Sequence, residues 1–118
     1  MGDFDWIQLP DDQHLDDHAR YDRATFAFET KDYGQAAELL EPLVQAEPAN
    51  SAIALLLARS YYHAARLGKA EQLTRTILER WPSEAYAHLL LARTLQRAGR
   101  AEEGARHLKI AEAMGLDA

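Results

Sequence analysis

The pentapeptide LLLAR occurs twice in the sequence, at residues 55–59 and again at residues 89–93, so the two copies start 34 residues apart. Sequence similarity that recurs at a fixed period of about 20–50 residues is typical of proteins built from stacked structural repeats. The same register extends from residue 18 to residue 118 without a gap. The chain is therefore predicted to be a repeat protein.

Side chains of similar size recur at matching positions of each period. Small residues fill two such columns, namely Ala24, Ala58 and Ala92, and Ala36, Ala70 and Gly104. Bulky apolar residues fill two more, namely Leu43 and Ile77, and Leu57 and Leu91. The first two periods close with Pro48 and Pro82, and Leu116 takes the third place. Because many such matches agree in one ungapped register, the pattern is a strong indicator of fold.

This pattern resembles the tetratricopeptide repeat family over about residues 18–118. The matching elements include the small residues, the closing prolines and Tyr61, which follows Ala58 by three residues. Arg23 departs from the pattern, because the other repeats carry leucine there, and the third repeat lacks the closing proline. The resemblance implies an all-α fold in which three tandem helix-turn-helix repeats form a short right-handed α-solenoid. The expected segments are an acidic N-terminal arm at 1–17 and repeats at about 17–50, 51–84 and 85–118.

Hydrophobic periodicity independently predicts helices. One face of the third predicted helix collects the apolar side chains Ile53, Leu57, Tyr61 and Ala64. Six helices are expected, at about residues 18–30, 34–46, 51–64, 68–80, 84–97 and 101–114. Glycines are expected in the turns within the hairpins, at Gly34, Gly68 and Gly99. Gly115 is expected to end the last helix.

The resemblance also implies where a partner would bind. In this family the first helix of each hairpin lines the concave face of the superhelix, where a peptide usually lies. The residues of the first helices opposite the core stripe therefore form the predicted peptide-binding groove. They are Tyr21, Thr25, Phe28, Leu55, Leu56, Arg59, Tyr62, His63, Tyr86, Leu89, Leu90, Arg93 and Arg97.

The leucines and arginines of this groove indicate what it binds. The four leucines have no packing partner within their own hairpin, and an exposed apolar patch usually marks an interaction site. Burial by a neighbouring repeat, by the arm or by a second copy of the chain is the alternative. Guanidinium groups bind carboxylates through paired hydrogen bonds and stack on aromatic faces. We therefore predict a non-catalytic protein-interaction module that prefers an acidic, apolar segment, with pairing to neighbouring glutamates as the alternative role of each arginine.

Charge is unevenly distributed along the chain. Residues 1–17 contain six aspartates and no lysine or arginine. Residues 18–50 carry three basic and six acidic side chains, and residues 51–118 carry ten basic and seven acidic ones. In the arm, residues 3–7 (DFDWI) alternate acidic and bulky apolar side chains, which is typical of disordered interaction segments. The arm is therefore a candidate ligand of the chain's own groove. The alternative is that its apolar residues cap the first hairpin.

Several functions are disfavoured by the sequence. It contains no cysteine, no secretion signal and no membrane-spanning apolar run, so we expect a cytoplasmic protein. It has neither a nucleophile–base arrangement nor a glycine-rich phosphate loop, so we expect no enzymatic activity and no cofactor. The net charge of −6 disfavours nucleic-acid binding.

Two further possibilities depend on particular residues. His14 and His18, four residues apart, could supply two metal ligands, but these would fill only half of a tetrahedral site, so no metal is predicted. Ile110 and Met114 lie on the last predicted helix, which has no repeat after it. Homo-oligomerisation, for instance as a homodimer, through this helix and the groove leucines is the alternative to a groove that holds another protein.

Overall fold

The computed structural model describes residues 16–116, and within this range it contains six α-helices and no β-strand. The helices are α1 (Asp17–Glu29), α2 (Tyr33–Ala46), α3 (Ser51–His63), α4 (Leu67–Arg80), α5 (Ala85–Arg97) and α6 (Ala101–Ala113). Every bound lies within one residue of its prediction, and the all-α fold is confirmed. Residues 1–15, which include most of the acidic arm and His14, lie outside the described range.

The first three helices begin at short polar residues that cap them. The carboxylate of Asp16 accepts a hydrogen bond from the Ala19 amide at 2.7 Å, which satisfies a donor that has no partner within the helix. Asp32 caps α2 through the amide of Gln35, and Asn50 caps α3 through the amide of Ile53. The local sequence therefore determines where these helices start.

The helices pack in chain order, each against the helix before it and the helix after it. One hydrophobic cluster joins the first two hairpins and contains Ala24, Ala37, Leu39, Leu40, Leu43, Ile53, Leu57, Tyr61 and Ala70. A second cluster joins α3 and α4 to α5 and contains Ala54, Ala58, Ile77, Ala87 and Leu90. The core therefore continues from each hairpin into the next, as expected for a repeat array.

The two columns of small residues mark the closest contacts between helices. The five alanines of these columns are fully buried, and Gly104 is buried as well. A Cβ atom on Gly104 would lie 2.8 Å from the carbonyl oxygen of Ala92 and 3.2 Å from Cγ of Gln96. α6 could not approach α5 this closely with any larger residue at position 104.

The first helix of each hairpin ends in the same way. The residue after the helix cap adopts a left-handed conformation at three positions 34 residues apart, namely Lys31 (φ 66°), Ala65 (φ 61°) and Gly99 (φ 83°). The next amide then donates to a carbonyl five residues earlier, as from Arg66 to Tyr61 at 2.8 Å. This is the Schellman arrangement. The prediction that Gly34 and Gly68 form these turns is wrong, because both residues lie inside the following helix. The expected role of Gly115 is confirmed by its φ of 97° directly after Met114, the C-terminal cap residue of α6.

Two arginines and two glutamates form a closed ring of ion pairs between α4 and the start of α6. Arg75 contacts Glu71 at 3.0 Å and Glu103 at 2.5 Å, and Arg100 contacts each of the same carboxylates at 2.8 Å. Hydrogen bonds from Arg75 and Arg100 lower the pKa of Glu103. Because these side chains are partly exposed, the ring links α6 to α4 without contributing much stability.

Replacing Ala65 by glycine is expected to stabilise the protein. A left-handed conformation costs an alanine about 1 kcal/mol relative to glycine, so the free energy of unfolding in urea should rise by about that amount. The matched control is Ala64→Gly, one residue earlier, where φ is −80°. There glycine should lower the free energy of unfolding by about 0.5–1 kcal/mol, because it only increases the entropy of the unfolded chain. Effects of the same sign at both positions would contradict the interpretation.

Replacing Gly104 by alanine is expected to destabilise the protein, although alanine is the better helix former. The clash with the backbone of α5 should lower the free energy of unfolding by about 1–3 kcal/mol. Gly68 provides the control, because a Cβ atom there meets no atom within 4 Å. Gly68→Ala should raise the free energy of unfolding by up to about 1 kcal/mol. A neutral or stabilising Gly104→Ala would show that α5 and α6 can separate at little cost.

Candidate functional site

Side chains of α1, α3 and α5 meet on one side of the molecule, which we call the first-helix surface. Arg59 of α3 lies at its centre. Its guanidinium carbon is 4.8 Å from the ring centroid of Phe28 in α1 and 5.4 Å from that of Tyr86 in α5. Both distances are within the range of a cation–π interaction. One side chain thus touches all three hairpins and makes their first helices a continuous surface.

The Nε atom of Arg59 is buried and has no hydrogen-bond acceptor among residues 16–116. The guanidinium carbon lies over the faces of two aromatic rings, and these rings supply no lone-pair acceptor for the Nε–H donor. A buried donor without an acceptor costs about 1–3 kcal/mol. A carboxylate can accept two parallel hydrogen bonds from a guanidinium group. The Arg59 side chain as a whole is only partly buried, so its guanidinium charge adds to the cationic character of the first-helix surface.

His63 extends the site toward the first hairpin. Its ring stacks on Tyr33 with centroids 4.6 Å apart and meets the edges of Phe28 at 5.8 Å and Tyr62 at 5.3 Å. Burial lowers the pKa of His63, and the positive charges of Arg59 and Arg97 lower it further. The imidazole is therefore neutral at physiological pH and adds hydrogen-bonding capacity rather than charge.

Tyr33 is a member of this cluster that the sequence analysis missed. It lies at the start of α2, next to Gly34, where a turn was predicted, and its ring is 5.2 Å from that of Phe28. The hairpin turn folds α2 back onto the end of α1, which brings the two rings together. The sequence feature that could have identified Tyr33 is an aromatic residue directly after a tight turn, five positions beyond Phe28.

Arg97 has a structural partner. Its Nη1 atom donates to the backbone carbonyl of Tyr62 at 2.9 Å, and its guanidinium carbon lies 4.7 Å from the Tyr62 ring. A positive charge at the carboxyl end of α3 is favourable because the last carbonyls of a helix are partly negative. Arg93 and Arg97 are both exposed, whereas Arg59 is partly buried.

Two adjacent cavities open on the α3–α5 part of the first-helix surface. The smaller has a volume of about 230 Å³ and is lined by Tyr62, His63, Tyr86, Leu89, Leu90 and Arg93. The larger has a volume of about 400 Å³ and is lined by Tyr62, Arg93, Gln96, Arg97 and Leu108. Tyr62 and Arg93 border both, so two neighbouring side chains of one bound segment could occupy them.

The prediction that the groove leucines are exposed is wrong for two of them. Leu89 is 9% exposed and Leu90 is 4% exposed, and Leu90 belongs to the cluster that joins the second hairpin to the third. Leu55 and Leu56 are half-buried against the two clusters. The physical reason is that neighbouring first helices pack side by side and cover residues that a single hairpin leaves open. Leu89 and Leu90 form the floor of the smaller cavity instead of an apolar patch on the surface.

Two predicted residues of the first hairpin have packing roles. Tyr21 packs against the first cluster, and the hydroxyl of Thr25 donates to the Tyr21 carbonyl at 2.9 Å. The predicted residues that the structure brings together around Arg59 and the cavities are Phe28, Tyr62, His63, Tyr86, Leu89, Leu90, Arg93 and Arg97.

Metal binding and membrane insertion find no support in the described part of the chain. No three histidine, aspartate or glutamate side chains there come together as a metal site. His18 pairs with Asp22 at 3.4 Å, and because His14 lies outside the range, the two-histidine hypothesis is not tested. None of the six helices is both long enough and apolar enough to span a bilayer.

Comparison of the chain with known proteins identifies a family. A sequence model described as tetratricopeptide repeat matches residues 27–86. No curated protein matches the chain. Among solved structures, MamA of AMB-1 has a TM-score of 0.79 at 22% identity over 84% of this chain and 58% of its own. MamA of Desulfovibrio magneticus RS-1 has a TM-score of 0.76 at 24% identity over 82% of this chain and 55% of its own.

A third similar structure is the CopN–Scc3 complex, with a TM-score of 0.76 at 17% identity over all of this chain and 79% of the other. Identities this low indicate a shared fold and no more. The chain spans a little over half the length of these two MamA structures.

Removing the charge of Arg59 is expected to raise the pKa of His63 toward its usual value of about 6.5. The positive charges of Arg59 and Arg97 both disfavour the protonated imidazole, so Arg59→Gln and Arg97→Gln should act in the same direction. The measurement is a titration of the His63 ring resonances by NMR. Arg106→Gln, an exposed substitution on α6, is the control and should leave this pKa unchanged. A His63 pKa that does not respond to Arg59→Gln would contradict the described geometry.

Proposed function

Because the chain belongs to the tetratricopeptide repeat family, we propose that it is a non-catalytic protein-interaction module whose first-helix surface holds a segment of another protein. The observation that carries this proposal is the contact of Arg59 with Phe28 and Tyr86. These residues come from three different hairpins, so the stacked array forms a site that no single hairpin has. One similar structure, the CopN–Scc3 complex, is named as an assembly of proteins, which supports a protein partner.

The chemistry of the surface favours an acidic segment with apolar side chains. The smaller cavity has an apolar floor, Leu89 and Leu90, and a cationic rim at Arg93. The guanidinium group of Arg59, whose side chain is only partly buried, adds a positive charge suited to a carboxylate. A bound segment would therefore place an apolar side chain in the cavity and a carboxylate beside it.

The chain's own acidic arm is a second ligand that this chemistry fits. Residues 3–7 combine two aspartates with Phe4, Trp6 and Ile7. We propose that the arm competes with an outside partner for the first-helix surface. A segment in the same molecule has a high effective concentration, so even weak complementarity would reduce the affinity for a partner.

Homo-oligomerisation through α6 is the weaker alternative. Ile110 is 39% exposed and Met114 is 42% exposed. The 34-residue register matches Ile110 to Pro42 and Thr76, which are exposed in their own helices. Met114 likewise matches Ala46 and Arg80, both exposed. These positions face outward in every repeat. Their exposure on α6 therefore does not indicate a face that a second copy of the chain must cover.

The proposed function is tested by affinity capture from a cell lysate with the full-length chain as bait. We expect a partner that the native chain retains and that Arg59→Glu/Arg93→Glu loses. The matched control is Arg106→Glu/Lys109→Glu, which reverses two exposed charges on α6 and should retain the partner. Circular dichroism melting of both variants checks that each is folded.

Two results would contradict the proposal. If both double variants retain the same proteins, the first-helix surface is not the binding site. If neither double variant loses a protein that the native chain retains, and light scattering shows a dimer at micromolar concentration, the homo-oligomer becomes the better interpretation. A monomer by light scattering would remove that alternative.

A further inference from the structure

The three hairpins place different charges at matching positions of the first-helix surface. Three columns of the 34-residue register show this: Asp22, Leu56 and Leu90; Thr25, Arg59 and Arg93; and Glu29, His63 and Arg97. Asp22 and Glu29 on α1 are exposed, as are Arg93 and Arg97 on α5. The surface therefore changes from negative over α1 to positive over α5, with the Arg59 guanidinium between them.

This change of sign occurs over the length of a short peptide. Neighbouring packed helices lie about 8–10 Å apart, so α1 and α5 are separated by roughly 16–20 Å across α3. An extended chain advances about 3.3 Å per residue, so about five or six residues span the distance. One segment can therefore contact both ends of the surface at once.

We propose that the first-helix surface binds an extended segment of polarised charge, with one carboxylate on Arg59, the acidic flank over α5 and the basic flank over α1. This inference rests on the function proposed above and specifies the direction in which the segment lies. Complementary charges contribute mainly by fixing register and excluding the wrong arrangement. In the reversed orientation a basic flank would face Arg93 and Arg97, and an acidic flank would face Asp22 and Glu29.

The environment of Arg59 makes it the fixed point of this arrangement. Its guanidinium carbon lies 4.8 Å from the Phe28 ring centroid and 5.4 Å from that of Tyr86, so rings from both outer hairpins hold the charged group in place. A carboxylate bound there gains a preorganised partner, which lowers the entropic cost of binding. The 230 Å³ cavity adjoins this point through Tyr86, so the residue next to the carboxylate on the α5 side would be apolar.

The direction is tested with two synthetic peptides of the same composition, KKSDFDWI and DFDWISKK. Each carries a nitroxide spin label at its basic end or at its acidic end, and broadening of the backbone amide resonances of the full-length chain is measured. We expect both peptides to behave alike, because charge and not chain direction orients them. A label at the acidic end should broaden α5, and a label at the basic end should broaden α1.

Substitutions test the fixed point in the same experiment. Loss of a charged hydrogen-bond partner should weaken binding to Arg59→Gln at least about tenfold. Arg106→Gln should change the affinity by less than about twofold, since its charge lies on α6. With Asp22→Asn/Glu29→Gln, a label at the acidic end should still broaden the resonances of α5. A label at the basic end should show a weaker preference for α1.

Three outcomes would overturn the inference. The first is that each label broadens the amide resonances of α1 and α5 equally. The second is that a label at the acidic end broadens α1, and the third is that neither peptide binds. If the capture experiment still finds a partner that depends on Arg59 and Arg93, the proposed function stands and only the polarity is wrong. If that experiment also finds none, both proposals fail together.

Discussion

The structure depends on close contact between helices at two columns of small residues. These are Ala24, Ala58 and Ala92 in the first helices, and Ala36, Ala70 and Gly104 in the second helices. A side chain with even one more carbon at Gly104 would meet the backbone of α5. Because protein interiors are close-packed, such positions set the distance between helices as well as filling space. The same spacing in each hairpin brings α1, α3 and α5 to one side of the molecule.

Stacking also determines which side chains form the first-helix surface. Apolar residues beside the core stripe, such as Leu90, are covered by the neighbouring hairpin and become a floor. Long cationic side chains extend past that floor and lie on aromatic rings, as Arg59 does on Phe28 and Tyr86. The result is a surface that is apolar at depth and cationic at its rim over α3 and α5. Specificity for a partner therefore comes from residues at the junctions between hairpins.

The periodicity of the sequence predicted the helices because it reports directly on burial, and all twelve helix ends lie within one residue of expectation. It could not show that Leu89 and Leu90 are buried, because a helical wheel describes one helix and these residues are covered by another. It also assigned the hairpin turns to Gly34 and Gly68, because glycine is the usual turn residue. Lys31 and Ala65 occupy the left-handed positions instead, at a cost small enough for the packed hairpins to tolerate. Pairings between hairpins, such as Tyr33 with His63, depend on three-dimensional curvature that a register does not contain.

The contact of Arg59 with rings from both outer hairpins has a consequence for how the molecule unfolds. In an array whose units touch only their neighbours, stability is a sum of local terms, and the end units can fray independently of each other. Here both junctions of the array share one guanidinium group in the second hairpin. Each of its two ring contacts is a nearest-neighbour term, so this one residue contributes to the stability of both junctions. Its removal would make both end hairpins more prone to fray, whereas the loss of a residue at a single junction would affect only one of them.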